Sequence, residues 1–106
     1  MLKIKHDPTF IAKVEIPIPG GNKAEVKIEF KHKTKAELDS FLNSEEAKTR
    51  SDIDTMMEVV KGWSGIDAEF SRDNMEALLD QYHGAARAII SAYLLELTQA
   101  RLGNFV

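Results

Sequence analysis

Two stretches near the amino terminus alternate between apolar and polar residues, and this pattern constrains the fold more than any other feature of the chain. Along the first stretch the even positions are apolar, namely Phe10, Ala12, Val14, Ile16 and Ile18. The second stretch repeats the pattern at Ala24, Val26, Ile28 and Phe30, with lysines and glutamates between them. A period of two is that of a β-strand with one apolar face. Because Pro19-Gly20-Gly21-Asn22 is a turn signal, the two stretches are predicted to form an antiparallel hairpin.

The charges on the polar face predict the register of this hairpin. Both apolar sets occupy even positions, so the numbers of paired residues must add up to an even number. A sum of 42 places Glu15 opposite Lys27 and Lys13 opposite Glu29, whereas a sum of 40 places like charges opposite each other. We therefore predict the sum of 42, with a five-residue loop over residues 19–23.

Three further features concern the edges of the sheet and the burial of its apolar face. Pro17 cannot donate a ladder hydrogen bond, so its nitrogen should face outward on an edge strand. Leu2 and Ile4 indicate a short third strand. Because an isolated hairpin is marginal in water, its apolar face needs a cover, which the helices predicted downstream can provide.

Helix starts are marked by capping residues. Thr34 and Glu37 form the pattern of a capping box, and Ser51 and Ser71 each precede an acidic first turn. The second helix has its apolar residues Ile53, Met56, Met57 and Val60 spaced as one helical stripe, and Gly62 is predicted to end it. Residues 44–50 are predicted to be a break or a frayed turn.

The last helix is predicted over about residues 85–102, following Gly84, which should end the third helix or begin the fourth. Arg101 suits the helix dipole there, and Gly103 is a good terminator. The expected fold is therefore α+β, with a β-hairpin region (1–33, two strands or three) packed against about four helices (34–106). With 106 residues, the chain is expected to be a single domain.

Composition narrows the functional classes. Cysteine is absent, which excludes disulfide frameworks and thiolate chemistry, and no apolar run approaches the roughly 20 residues that span a bilayer. The first residues are too polar for a secretory signal, so a soluble intracellular protein is expected. Residues 1–35 carry a net charge of +4 and residues 36–106 a net charge of −7. The lysines alternate with glutamates as on a solvated strand face, which makes nucleic-acid binding a secondary hypothesis.

Motifs for catalysis, cofactors and metals are not evident. His6, His32 and His83 lack metal-ligand spacing, and Gly62 and Gly65 do not belong to a phosphate-binding glycine motif. We therefore expect no catalytic residue, no cofactor and no metal, and a protein that is not an enzyme.

The most informative segment is the glycine-punctuated stretch from Gly62 to Ser71. It carries Trp63, Ile66 and Phe70, although loops between helices are normally polar. One interpretation is that Trp63 and Phe70 join the second helix to the third through core packing. The other is that they anchor a partner protein, because aromatic residues are enriched at interface hot spots.

From this stretch onward the chain resembles a known family. The segments concerned are Val59–Ile66, Phe70-Ser71, Leu78–Gly84 and Ala88–Tyr93. Their order and spacing, over roughly residues 34–104, resemble those of the tail assembly chaperones of long-tailed bacteriophages and prophages. His83 departs from the family pattern, in which a proline is common.

The resemblance implies a non-enzymatic assembly factor in the host bacterial cytoplasm. Its partners would be the tape measure protein, which such proteins keep soluble, and the tail tube protein, whose subunits they help recruit. No membrane partner is expected. Separately from the resemblance, the exposed hairpin edge and the apolar residues Phe105 and Val106 predict self-association, as a weak dimer or a larger ring. The residues expected to contact protein are Trp63, Phe70, Tyr82, Tyr93, Gly62 and Gly65. The alternatives are a small structural tail-completion or connector protein and, after it, a nucleic-acid-binding regulator.

Overall fold

A computed structural model describes residues 1–99 and contains a three-stranded antiparallel sheet with helices on one face. The strands are β1 (Thr9–Ile18), β2 (Asn22–Lys31) and β3 (Val60–Ser64), in the order β1-β2-β3. The helices are α1 (Lys35–Asn43), α2 (Glu45–Thr49), α3 (Asp52–Val59), α4 (Arg72–Gln81) and α5 (Ala85–Thr98). This arrangement confirms the predicted α+β class, with a hairpin followed by helices.

The register of the hairpin differs from the prediction. Residue numbers of paired positions add up to 40, so Lys13 lies opposite Lys27 and Glu15 opposite Glu25. The turn decides this, because Gly20 and Gly21 both adopt positive φ angles (104° and 95°) and close a loop of three residues rather than five. Each exposed like-charge pair costs at most about 1 kcal/mol, and the diagonal neighbours carry the opposite charge.

The third strand comes from a different part of the chain than predicted. Residues 1–8 form no strand, and the side chains of Leu2 and Ile4 are fully exposed. Instead the chain leaves α3 at Val59 and continues as β3, which pairs with β2 and has an irregularity beside Phe30. Val60 fits the apolar spacing of the predicted second helix, but a strand can bury it equally well. In the structure it lies in β3 and is 1% exposed.

The predicted helix starts are confirmed. The Thr34 side chain accepts a hydrogen bond from the amide of Glu37, whose carboxylate accepts one from the amide of Thr34, so the capping box is complete. Ser51 and Ser71 likewise cap α3 and α4. The stretch predicted as a break holds the five-residue helix α2, which Ser44 caps.

Helix α5 begins at a close approach to the hairpin. Gly84 is its N-cap but makes no side-chain hydrogen bond, and a Cβ atom there would lie 3.1 Å from Cγ of Pro17. The helix ends at Thr98, before the predicted boundary near residue 102, since Gln99 adopts a left-handed conformation. The predictions for Arg101 and Gly103 lie outside the described residues.

The core lies between the apolar face of the sheet and the helices. At the end of the hairpin away from the turn, Phe30 and Tyr93 are fully buried and their rings lie 5.0 Å apart. Phe10 stacks on Tyr93 with ring centroids 6.0 Å apart, and Phe41 meets the same ring edge-on. The Tyr93 hydroxyl donates a 2.8 Å hydrogen bond to the carbonyl of Lys31, which joins α5 to β2.

Candidate partner-binding groove

An apolar groove of about 510 Å³ opens at the other end of the sheet, near the hairpin turn. Three elements form its walls: the hairpin, the loop after β3, and α4. The hairpin contributes Ile16, Ala24 and Val26; the loop contributes residues 65–68; and α4 with its C-cap contributes Asn74, Ala77, Leu78, Gln81 and Tyr82. Apolar surface of this kind is characteristic of sites that receive a ligand or a partner protein.

Trp63 holds the loop wall of this groove in place. Its side chain is half-buried, and Nε1–H donates a 2.7 Å hydrogen bond to the carbonyl of Ala68. Phe70, also half-buried, packs edge-to-face on the Trp63 ring with the centroids 5.2 Å apart. These two aromatic side chains therefore close the loop onto β3. Their position agrees with the interpretation that Trp63 and Phe70 pack within the fold. Any effect of these two side chains on a partner in the groove would be transmitted through the loop that they hold.

Of the two glycines, Gly65 is the one whose position requires glycine. Its φ angle is +86°, and a Cβ atom there would lie 3.5 Å from Cα of Val26. The 3.5 Å distance is an ordinary contact, so it is the positive φ angle that requires glycine where the loop turns over β2. Gly62 has no such constraint, since a Cβ atom there would meet only a carboxylate oxygen of Glu29 at an ordinary 3.6 Å.

The two tyrosines have different positions. Tyr82 is half-buried at the end of α4 and lines the groove. Tyr93 is 0% exposed and belongs to the core, and burial raises the pKa of its hydroxyl well above the ordinary range. The structure thus brings Gly65 and Tyr82 to the groove, places Trp63 and Phe70 behind its loop wall, and keeps Tyr93 and Gly62 apart from it.

The segment that supplies two of the three groove walls is acidic, and one of its carboxylates, Asp67, lines the groove. Residues 65–82 contain five carboxylates and a single basic residue, Arg72. Arg72 donates a 2.8 Å hydrogen bond to Oδ1 of Asp54, which lowers the pKa of that carboxyl, and it also lies 3.5 Å from Oε1 of Glu76. The arginine charge is therefore engaged by two carboxylates, and residues 65–82 keep a net negative charge.

The polar face of the sheet is banded rather than uniformly basic. Rows of lysine pairs and glutamate pairs alternate across β1 and β2 because of the observed register. Two further lysines are engaged within the chain, since Lys33 forms an ion pair with Glu58 and Lys31 donates to the carbonyl of Met57. This face lacks the continuous basic stripe typical of nucleic-acid binding.

Two histidines far apart in the sequence meet beside the core. The rings of His6 and His32 are stacked 4.2 Å apart. Burial lowers the pKa of His32, and the charge of His6 contributes in the same direction. Within residues 1–99, no group of three or more histidine or carboxylate side chains is arranged to hold a metal ion, and no helix is long and apolar enough to cross a bilayer.

Sequence reasoning did not identify the hairpin residues of the groove, Ile16 and Ala24, or the α4 residue Ala77. Ile16 and Ala24 carry only the signal of an apolar strand face, which does not say what covers them. Ala77 is exposed and lies off the apolar stripe of α4, so helical periodicity does not select it. Ile66 is an apolar residue in a loop that would normally be polar, and this exception in the sequence is the signal that points to the groove wall.

Comparison with known protein families gives a match over nearly the whole chain. A family model described as phage tail assembly chaperone matches residues 1–104, and thus includes the hairpin as well as the helical region in which the resemblance was noted. No curated protein and no solved structure matches the chain. Since the match covers nearly the whole sequence, the chain belongs to the phage tail assembly chaperone family.

Proposed function

We propose that this chaperone acts by binding, not by catalysis, and that its groove holds an apolar segment of the tape measure protein in the cytoplasm of the host bacterium. Through the same complex it helps to recruit tail tube subunits. The observation that carries the proposal is the open apolar groove between the hairpin, the Trp63 loop and α4. Family membership supports the assembly role.

The shape of the groove suits side chains presented by a helix. Its volume of about 510 Å³ is larger than one side chain requires, and its walls combine aliphatic residues with Tyr82. An amphipathic helix binds such a groove by inserting apolar residues spaced three and four apart. A tape measure protein, expected to be long and helical, would offer apolar stripes of this kind until the tail tube encloses it.

The negative charge of residues 65–82 adds a second element of recognition. Five carboxylates within residues 65–82 would attract basic residues beside the apolar stripe of a partner and speed its association. Bound copies would also give the partner added negative charge, which opposes aggregation. Binding is therefore expected to weaken as the salt concentration rises.

A co-expression experiment tests the proposal. The tape measure protein encoded near this gene is produced with an affinity tag, alone or together with the chaperone, and its solubility and co-purification are measured. Wild-type chaperone should keep the tape measure protein soluble and co-purify with it. Ala77→Arg should reduce the retained chaperone at least about tenfold, because it fills the groove and brings a positive charge to it.

Ala36→Arg is the matched control. Ala36 is also an exposed helical alanine, but it lies on α1, outside the groove lining. Both substitutions change the net charge equally, and arginine has nearly the helix propensity of alanine, so both proteins should fold. Failure of the wild type to co-purify, or equal retention of the two variants, would contradict the proposal. Finding the chain in purified virions would favour a structural tail component instead.

A further inference from the structure

The outer edge of β1 is long, regular and unpaired within the described residues. Strand β1 has ten residues without a bulge, and its only strand partner within residues 1–99 is β2. The segment before it does not lie along this edge, because His6 stacks on His32 at the end of β2. On the polar face of β1, Ile11 is 66% exposed, which is unusual for an isoleucine in a strand.

Two hydrogen bonds show which backbone groups face this edge. The carbonyl of Pro8 accepts from the amide of His32, and the carbonyl of Ile18 accepts from the amide of Gly21. Even-numbered residues of β1 therefore point their backbone groups toward β2. Because these groups alternate along a strand, the carbonyls of the odd-numbered residues face outward, and so do their amides except at Pro17, which has no N–H and cannot donate to a partner strand. Pro17 is odd-numbered, so its nitrogen faces the open edge, in agreement with the sequence prediction.

The charges on this edge are complementary to those of a second copy. If two β1 strands pair antiparallel about Val14, Lys13 of each copy lies opposite Glu15 of the other. In the same register the exposed Ile11 lies opposite Pro17. Shifting the centre by one residue in either direction instead places Lys13 opposite Lys13 or Glu15 opposite Glu15. Opposite charges across a strand pair stabilise it and like charges destabilise it, so one register is selected.

We propose that two copies of this chain associate through their β1 edges in the register centred on Val14, which joins two three-stranded sheets into one of six strands. The partner is a second copy, because the Lys13 and Glu15 pattern is self-complementary about a two-fold axis. The other sheet edge is poorly suited to this, since β3 has only five residues and its pairing with β2 is irregular. The pairing uses the backbone edge and the odd-numbered residues of β1, whereas the groove is lined by the even-numbered Ile16 on the apolar face of the same strand.

Charge reversal tests the register. The average mass of the wild type, measured by sedimentation equilibrium, should rise with concentration from monomer toward dimer. Lys13→Glu and Glu15→Lys should each raise the dimer dissociation constant at least about tenfold, since each creates two like-charge pairs. An equimolar mixture of the two variants should form a heterodimer, because every pair then joins opposite charges.

The hairpin register provides a control that separates association from folding. Lys13→Glu turns its pairing with Lys27 into one of opposite charges, so the variant should fold at least as stably as the wild type while it dimerises less. Lys27→Glu makes the same change within the hairpin and in net charge, but β2 is not at the edge. Its dimer dissociation constant should stay within about twofold of the wild type.

Three results would overturn the proposal. The first is a wild-type mass that stays monomeric at every concentration. The second is equal dimerisation of the Lys13→Glu and Lys27→Glu variants, which would place the interface elsewhere. The third is a mixture of the two edge variants that associates no better than either variant alone, which would exclude the register centred on Val14.

Discussion

The two ends of the core differ in how completely their apolar surface is covered. Far from the hairpin turn, Phe30 and Tyr93 are fully buried and the Tyr93 hydroxyl has a hydrogen-bond partner. Near the turn, Ile66 and Tyr82 are only half-buried, and a groove of about 510 Å³ remains between the elements. We name these the closed end and the open end.

The comparison teaches that similar aromatic residues serve different purposes at the two ends. At the closed end their burial contributes directly to the stability of the fold. At the open end Trp63 holds a loop in place, and the apolar surface that lines the groove beside that loop remains uncovered. Substitutions at the closed end should therefore affect unfolding, whereas those at the open end should affect partner binding more strongly than their effect on stability suggests.

The largest effect is expected at Tyr93. Tyr93→Ala should lower the free energy of unfolding by roughly 3–5 kcal/mol, because it removes a fully buried ring. Tyr93→Phe keeps the ring but removes the donor to the carbonyl of Lys31, and should cost about 1 kcal/mol. Urea denaturation followed by circular dichroism measures both values. A loss below about 1 kcal/mol for Tyr93→Ala would mean that the closed end is not the main source of stability.

Gly65 at the open end and Gly62 in β3 should differ in the next largest effect. Gly65→Ala should lower the free energy of unfolding by about 1–2 kcal/mol, because φ is +86° there, a conformation that residues with a Cβ atom rarely adopt. Gly62→Ala, in ordinary strand geometry, should change it by less than about 0.5 kcal/mol. The same denaturation assay compares the two variants, and equal losses would show that the loop does not depend on its left-handed residue.

Trp63→Phe should separate stability from binding. It removes the donor to the carbonyl of Ala68 while it retains most of the aromatic surface, so the loss in unfolding free energy should be about 1 kcal/mol. Because the loop is then less firmly held, co-purification of the tape measure protein should fall markedly. The stability loss is matched by Tyr93→Phe, and binding that falls no further in Trp63→Phe than in this control would argue against a role for the loop.

The smallest effect is a pH dependence at the closed end. The pKa of His32 is lowered in the folded state by burial and by the charge of His6, so the folded state binds fewer protons than the unfolded chain. The stabilisation is present above the ordinary value of 6.5 and is lost as the pH falls through it toward the folded-state pKa. Denaturation at a series of pH values should therefore show a shallower decline for His32→Gln than for the wild type. Identical slopes would refute the assignment.

Much of the fold could be predicted because its signals are local. Alternation at every second residue specifies the hairpin, and Thr34, Ser51 and Ser71 mark helix starts through hydrogen bonds that reach only three residues along the chain. The register was mispredicted because cross-strand charges were weighed without the turn, whose two left-handed glycines set the loop length. The strand β3 was missed because one buried Val60 satisfies either a helical stripe or a strand.

The candidate site was only partly predictable for a related reason. Trp63, Phe70 and Tyr82 stand out in the sequence as aromatic residues near a glycine-rich loop, but nothing local distinguishes them from Tyr93. Their positions depend on which elements pack over them. The groove itself lies between three elements that are distant along the chain, and no window of the sequence contains all of its walls.

Taken alone, the amino-acid sequence determined the α+β class, the hairpin, the helix starts and the family resemblance, because these depend on periodicity, capping and the order of motifs. Tertiary structure alone decided the register, the origin of the third strand, the burial of Tyr93 and the existence of the groove. These features depend on how distant segments share a limited volume. Packing at one position depends on neighbours from distant parts of the chain, which local propensity does not take into account.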